Sequence, residues 1–137
     1  MPRPTRFSLS VAEFAKKTNA NVDLVVRKVA IEMLTRIVMR SPVDTGRFRA
    51  NWTVSIGTRR YGFTTEDVDP SGRNTILEGV KVLTGYKAGP IIFLTNGLPY
   101  GRRLEDGWSQ QAPSGFVAIT VVEFQGLVRR VVEDVRR

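Results

Sequence analysis

Apolar residues recur at helical spacing in the first third of the chain and alternate at strand spacing in its middle. Val22, Val26, Val29, Met33 and Ile37 step by three or four, and Val25, Ala30, Leu34 and Val38 widen that face, which predicts a helix from an Asn21 cap to about Arg40. So broad a face predicts packing against more than one surface, with a neighbouring subunit as a candidate for the second. Upstream, Ser10-Val11-Ala12-Glu13 has capping-box spacing and predicts a short helix that weakens from Thr18 to Asn21. Residues 1–9 hold two prolines, Arg3 and Arg6 without periodicity; they read as a mobile basic arm on a single domain of residues 10–137.

The pattern changes at Ser41-Pro42-Val43-Asp44-Thr45-Gly46-Arg47-Phe48-Arg49-Ala50-Asn51-Trp52. Pro42 lacks an N–H, and its ring clashes with the turn behind it, so the helix must stop there. Asp44 and Thr45 can bond the backbone ahead of them and Gly46 tolerates positive φ, which together predict a tight turn. An extended segment is expected next, with Arg47 and Arg49 on one side and Phe48 and Ala50 on the other. Trp52, Val54 and Ile56 then alternate with Thr53, Ser55 and Gly57, as in a half-buried strand anchored in the core by Trp52.

From Thr58 to Asn74 the composition is that of a loop, long enough to predict contact with a partner. Thr75 to Thr84 has helical spacing ended by Gly85, and the apolar run from Pro90 to Thr95 predicts a buried strand. Pro99 to Asp106 predicts one or two helical turns, with Arg102-Arg103 and Glu105-Asp106 facing solvent by default or else a partner. In the last segment Val117, Val121, Phe124, Val128, Val131 and Val135 form a heptad-like stripe, which predicts one regular amphipathic helix covering the sheet.

Composition narrows the chemistry. The chain has 137 residues, 42% of them hydrophobic and 25% charged, enough for one self-sufficient core. No apolar run is long enough to span a bilayer, and no signal-peptide core follows Met1 to Arg6, so a protein used without secretion is expected. Cysteine and histidine are both absent, which excludes thiolate nucleophiles, disulfides, imidazole bases and His- or Cys-ligated metals. There is no Gly-x-Ser-x-Gly and no Walker-type loop; Gly85-Tyr86-Lys87-Ala88-Gly89 lacks the Ser/Thr and the preceding strand. Neither an enzyme nor a cofactor is expected.

Lys and Arg total 21 against 13 Asp and Glu, a formal charge of +8, which predicts attraction to polyanions. The basic residues are spread rather than gathered on a recognition helix, leaving non-specific phosphate contact as the nucleic-acid alternative.

Three segments together carry a family resemblance. Ser41-Pro42-Val43-Asp44-Thr45-Gly46 followed by Arg47, Phe48 and the Asn51-Trp52 step resembles the tail-completion (neck) proteins of long-tailed bacteriophages. Tyr100-Gly101-Arg102-Arg103-Leu104-Glu105-Asp106-Gly107 resembles that family's Tyr-Ala-x-x-Leu-Glu-x-Gly segment, with Gly101 in place of the small Ala. Gln111-Ala112-Pro113-Ser114-Gly115-Phe116 is similar to the Pro-rich loop that opens the family's last long helix.

The resemblance implies an α+β fold, a small antiparallel sheet flanked by helices, with long N-terminal and C-terminal helices. It implies a virion protein that closes into a ring with copies of itself, a hexamer in the family's pattern, and joins the tail to the head. The implied partners are the tail tube or tail terminator protein and the head connector or stopper protein. A tail terminator or head-side stopper in the same junction is equally compatible with the pattern. Interface positions on this reading are Asp44, Thr45, Gly46, Arg47, Arg49, Tyr100, Arg102, Arg103 and Glu105, and Arg47 and Arg49 are candidates to line the lumen and touch passing DNA.

Overall fold

The computed structural model describes residues 21–87, 89–108, 111 and 115–136, together with Lys16. The expected arm of residues 1–9 and the Ser10 capping box lie outside the described residues. The protein is α+β. Helix α1 is Val22–Arg40, α2 Arg47–Ala50, β1 Trp52–Ile56, α3 Arg73–Thr84, β2 Ile92–Asn96, α4 Gly101–Arg103, α5 Val117–Val122 and α6 Phe124–Arg136. A widened turn, Leu104–Trp108, continues α4 and ends at Gly107.

Helix α1 starts where the side chain of Asn21 accepts the Leu24 N–H at 3.1 Å. It stops at Ser41, whose ψ of 137° is set by the following proline. Its two faces serve two clusters. The N-terminal half buries Val25, Val26, Val29 and Met33 against Tyr86 and the α6 residues Phe124, Leu127, Val128, Val131 and Val132. Its C-terminal half buries Ala30, Leu34, Ile37 and Val38 against Phe48, Trp52, Val54, Leu83 and Phe116. Both surfaces that α1 needs are therefore supplied by its own chain rather than by a neighbour.

Among the described residues the sheet has two antiparallel strands, pairing Trp52 with Asn96, Val54 with Leu94 and Ile56 with Ile92. Alternation sends these side chains toward the helices and Thr53, Ser55, Phe93 and Thr95 to the opposite face. Strand β2 begins two residues later than the run from Pro90 predicts, and each of its residues is only half-buried, whereas its partner β1 is mostly buried. Helix α3 crosses close to α1 and β1 at Gly79, where a Cβ would strike the side chains of Leu34 and Val54.

Three further expectations are corrected. Residues 47–50 form a helical turn, not an extended segment: the Ala50 N–H bonds Gly46 O and the Asn51 N–H bonds Phe48 O. The last helix is two helices that meet at Glu123, and the apolar stripe is buried only from Phe124 onward, although Val117 packs against the core at its edge. Before that point Thr120 is the buried residue and Val117 and Val121 are half-buried. Glu105 turns inward, as described below, instead of facing solvent beside Asp106.

Candidate assembly interface

The 41–52 stretch lies where the end of α1, the long loop and the sheet meet. Gly46 has φ 92°, and a Cβ there would run into the backbone of Asp69 and Pro70. That close approach lets the Asp69 N–H donate to Gly46 O at 2.9 Å. Arg49 then binds three carbonyls with one guanidinium: Ser41 O at 3.2 Å, Pro70 O at 2.7 Å and Met39 O at 2.8 Å. These bonds satisfy α1's last carbonyls and explain the helical turn, which swings Arg49 back toward the helix it caps.

Trp52 is the core anchor its phase predicts. Its Nε1 donates to Ser41 Oγ at 2.8 Å, and that hydroxyl donates onward to Ile37 O at 2.6 Å. Its ring meets Phe48 and Phe116 edge-on at 6.0 and 6.3 Å. Edge-to-face pairs of this kind add about 0.5–1.5 kcal/mol each beyond burial.

The long loop leaves the sheet at Gly57 and enters α3 at Gly72, and it is fastened at two points. Buried Asn51 works like a short strand: its amide donates to Thr64 O at 2.8 Å and accepts the Thr64 N–H at 2.8 Å. Downstream, the buried carboxylate of Asp69 accepts the Thr75 N–H and hydroxyl, both at 2.8 Å. Burial acts to raise the Asp69 pKa, but the bonds from Thr75, Ser71 and Gly72 outweigh it and hold the group below its ordinary value.

The Tyr61–Gly62 backbone is in turn packed closely against Gly97, just past β2, and on this arm of the loop the side chains of Tyr61, Phe63 and Val68 are exposed to 77%, 52% and 52%. Arg59 sits over the Tyr61 ring at 5.2 Å. An open cleft of about 420 Å³ lies between the arm and the sheet, lined by Ala50, Asn51, Thr53, Tyr61 and Phe63 among others.

A second outward surface lies on α5. Its sequence, Val117-Ala118-Ile119-Thr120-Val121-Val122, contains no charge, and its polarity is inverted. Thr120 is fully buried: its hydroxyl donates to Phe116 O at 2.7 Å and accepts from Arg40 at 3.2 Å. Ala118 and Ile119 are exposed, and Val122 is 84% exposed.

Both ends of α5 are held by carboxylates. Glu105 accepts the N–H groups of Phe116, Val117 and Ala118 at 2.8, 2.8 and 2.9 Å, capping the first turn. Glu123, at the other end, takes Arg36 at 2.8 Å and Arg40 at 2.7 and 2.9 Å. The hydrogen bonds from Arg40 and then Arg36 hold the Glu123 carboxyl down to about 2.

The nine positions expected at an interface thus divide. Gly46, Arg49 and Glu105 act inside the subunit, while Asp44, Thr45 and Arg103 are exposed. Tyr100 is half turned out, with its ring tilted against Phe48 at 5.9 Å, and Arg102 lies in the adjoining turn α4. Arg47 is half-buried, and its Nε has no hydrogen-bond partner among the described residues. Asn51, Asp69 and Thr120 were not expected to matter, since single polar residues in a loop or an apolar run give no periodic signal. Tyr61 and Phe63 did carry one, as two aromatics within a polar loop.

Among the described residues no group of His, Cys, Asp and Glu is arranged to hold a metal, and no helix is long and apolar enough to cross a membrane. Compared with protein-family models, curated proteins and solved structures, the chain matches none of them.

Proposed function

We propose that this protein is a structural subunit of the neck of a long-tailed bacteriophage. Copies close into a ring, hexameric in the pattern of the family it resembles, which completes the head-proximal end of the tail. One ring face meets the tail tube or tail terminator protein, and the other meets the head connector or stopper. The mechanism is stereochemical: one heterologous interface repeats around an axis until it closes. The subunit performs no bond-making chemistry, binds no cofactor and resides in the virion.

The observation that carries this reading is the inverted helix α5, whose one polar residue is buried while Val122 stands 84% exposed. A contiguous apolar face on a chain of +8 charge suits permanent contact with other protein better than life as a monomer. The ordered segments 41–52 and 100–107 add the family resemblance. Of the two arginines offered for contact with passing DNA, Arg49 is committed to three carbonyls, and Arg47 is half-buried with its partner-free Nε shut away from solvent.

Native mass spectrometry at low and moderate salt, with and without duplex DNA, tests the proposal. Closed rings formed without DNA are expected. A monomer or dimer that binds duplex tightly, with affinity falling steeply as salt rises, would replace it with a nucleic-acid-binding role.

A further inference from the structure

Two apolar surfaces on this subunit lack a partner among the described residues, and they differ in position. One is the short, charge-free face of α5 with Ile119 and Val122; the other is the arm with Tyr61, Phe63 and Val68. Helix α1 stands between them. Its Val38 and Met39 lie against Gly72 at the root of the arm, while its Arg36 and Arg40 reach toward Glu123 at the end of α5. Leu77 and Val82 on α3 are also exposed, but Glu78 and Lys81 pair across that surface at 3.1 Å and keep it hydrated.

Building on the ring reading, we propose that neighbouring copies join head to tail by seating the α5 face of one subunit against the arm of the next. The occupant of each surface is then the other surface on a second copy of this chain. Charge favours this choice. Two copies at +8 repel, so they associate best through surfaces whose own charge is balanced. The arm carries Arg59 and Arg60 against Glu66 and Asp67, two minus two, or zero. The corner at α5 carries Arg36 and Arg40 against Glu32 and Glu123, again two minus two.

The balanced charges are also ordered to match. Glu66 and Asp67 directly precede Val68, and Arg40 lies beside the Val122 corner. Seating Val68 near Val122 brings carboxylates to a guanidinium that keeps donors to spare beyond Glu123 and Thr120. Because the two surfaces are unlike and lie apart on the subunit, a head-to-tail pair leaves one of each open, and the contact extends to a third copy.

The test uses Val122→Glu and Val68→Glu, both at exposed positions, with circular dichroism confirming that each variant keeps its fold. Each alone is expected to raise the concentration needed for ring assembly about tenfold or more, the loss typical of a central interface residue. Mixed at equal concentrations, the two variants are expected to give a one-to-one dimer and nothing larger, since one intact arm meets one intact α5. Rings of normal mass from either variant alone would overturn this contact while leaving the ring itself in place. Loss of assembly in both variants without a mixed dimer would overturn the head-to-tail pairing. A wild-type chain that never forms rings would overturn the contact together with the ring reading on which it rests.

Discussion

The 41–52 stretch and helix α5 use polar and apolar residues in opposite senses. In the first, conspicuous polar and charged side chains turn inward: Arg49 to three carbonyls, Asn51 to Thr64, and Trp52 to Ser41. In the second, Ala118, Ile119 and Val122 turn outward while the one hydroxyl, of Thr120, is buried. The difference teaches where to look for function. A dense motif can be dense because it holds three elements together, and the surface that meets a partner can be the segment with no motif.

If the 41–52 stretch is internal architecture, substitutions there should act on stability first. Trp52→Ala removes a ring packed on Phe48 and Phe116 and a donor to Ser41, so it is expected to cost about 3–5 kcal/mol in urea unfolding. Gly46→Ala adds a left-handed non-glycine residue and a clash with Pro70 and is expected to cost about 2–4 kcal/mol by the same measurement.

A third variable is pH. A glutamate in the unfolded chain titrates near 4.3, roughly, whereas Glu123 is held at about 2 by Arg40 and Arg36. The depressed native value means that its contribution is complete above the unfolded pKa and is lost as pH falls toward 2. Glu123→Gln should therefore flatten the acid limb of a stability–pH curve in that window.

The smallest stability effect is expected at the other side of the comparison. Val122→Ser alters a side chain in contact with solvent and should shift the unfolding free energy by no more than about 0.5 kcal/mol. Its assembly should nevertheless weaken. A large loss of stability instead would mean that α5 is packed within the subunit after all.

Local chemistry made much of the fold legible. Asn21, Pro42 and Gly46 each act through their own backbone neighbourhood, and the ends of α1 and the turn at Gly46 fall where those residues place them. The stripe from Phe124 to Val131 also reads correctly, because its period alone determines which residues are buried. The break before it does not. Val117 and Val121 continue the period by residue type, while the residue at the break, Glu123, is bound by Arg36 and Arg40 from far away in the chain. The turn at residues 47–50 was hidden for the same reason, since Arg49's carbonyl partners belong to α1 and the long loop. Glu105 read as a surface acid because its three amide donors lie eleven to thirteen residues further on. The long loop was legible as a loop from its composition, although the exposure of its aromatics could be assigned only once Asn51 and Asp69 were seen to fasten it.

The most direct test of this division is amide hydrogen exchange followed by mass spectrometry, on the wild-type protein below and above its assembly concentration. The account predicts new protection at residues 58–68 and 117–122 on assembly, with 41–52 protected equally in both states. Protection gained across 41–52, with the arm and α5 unchanged, would contradict it.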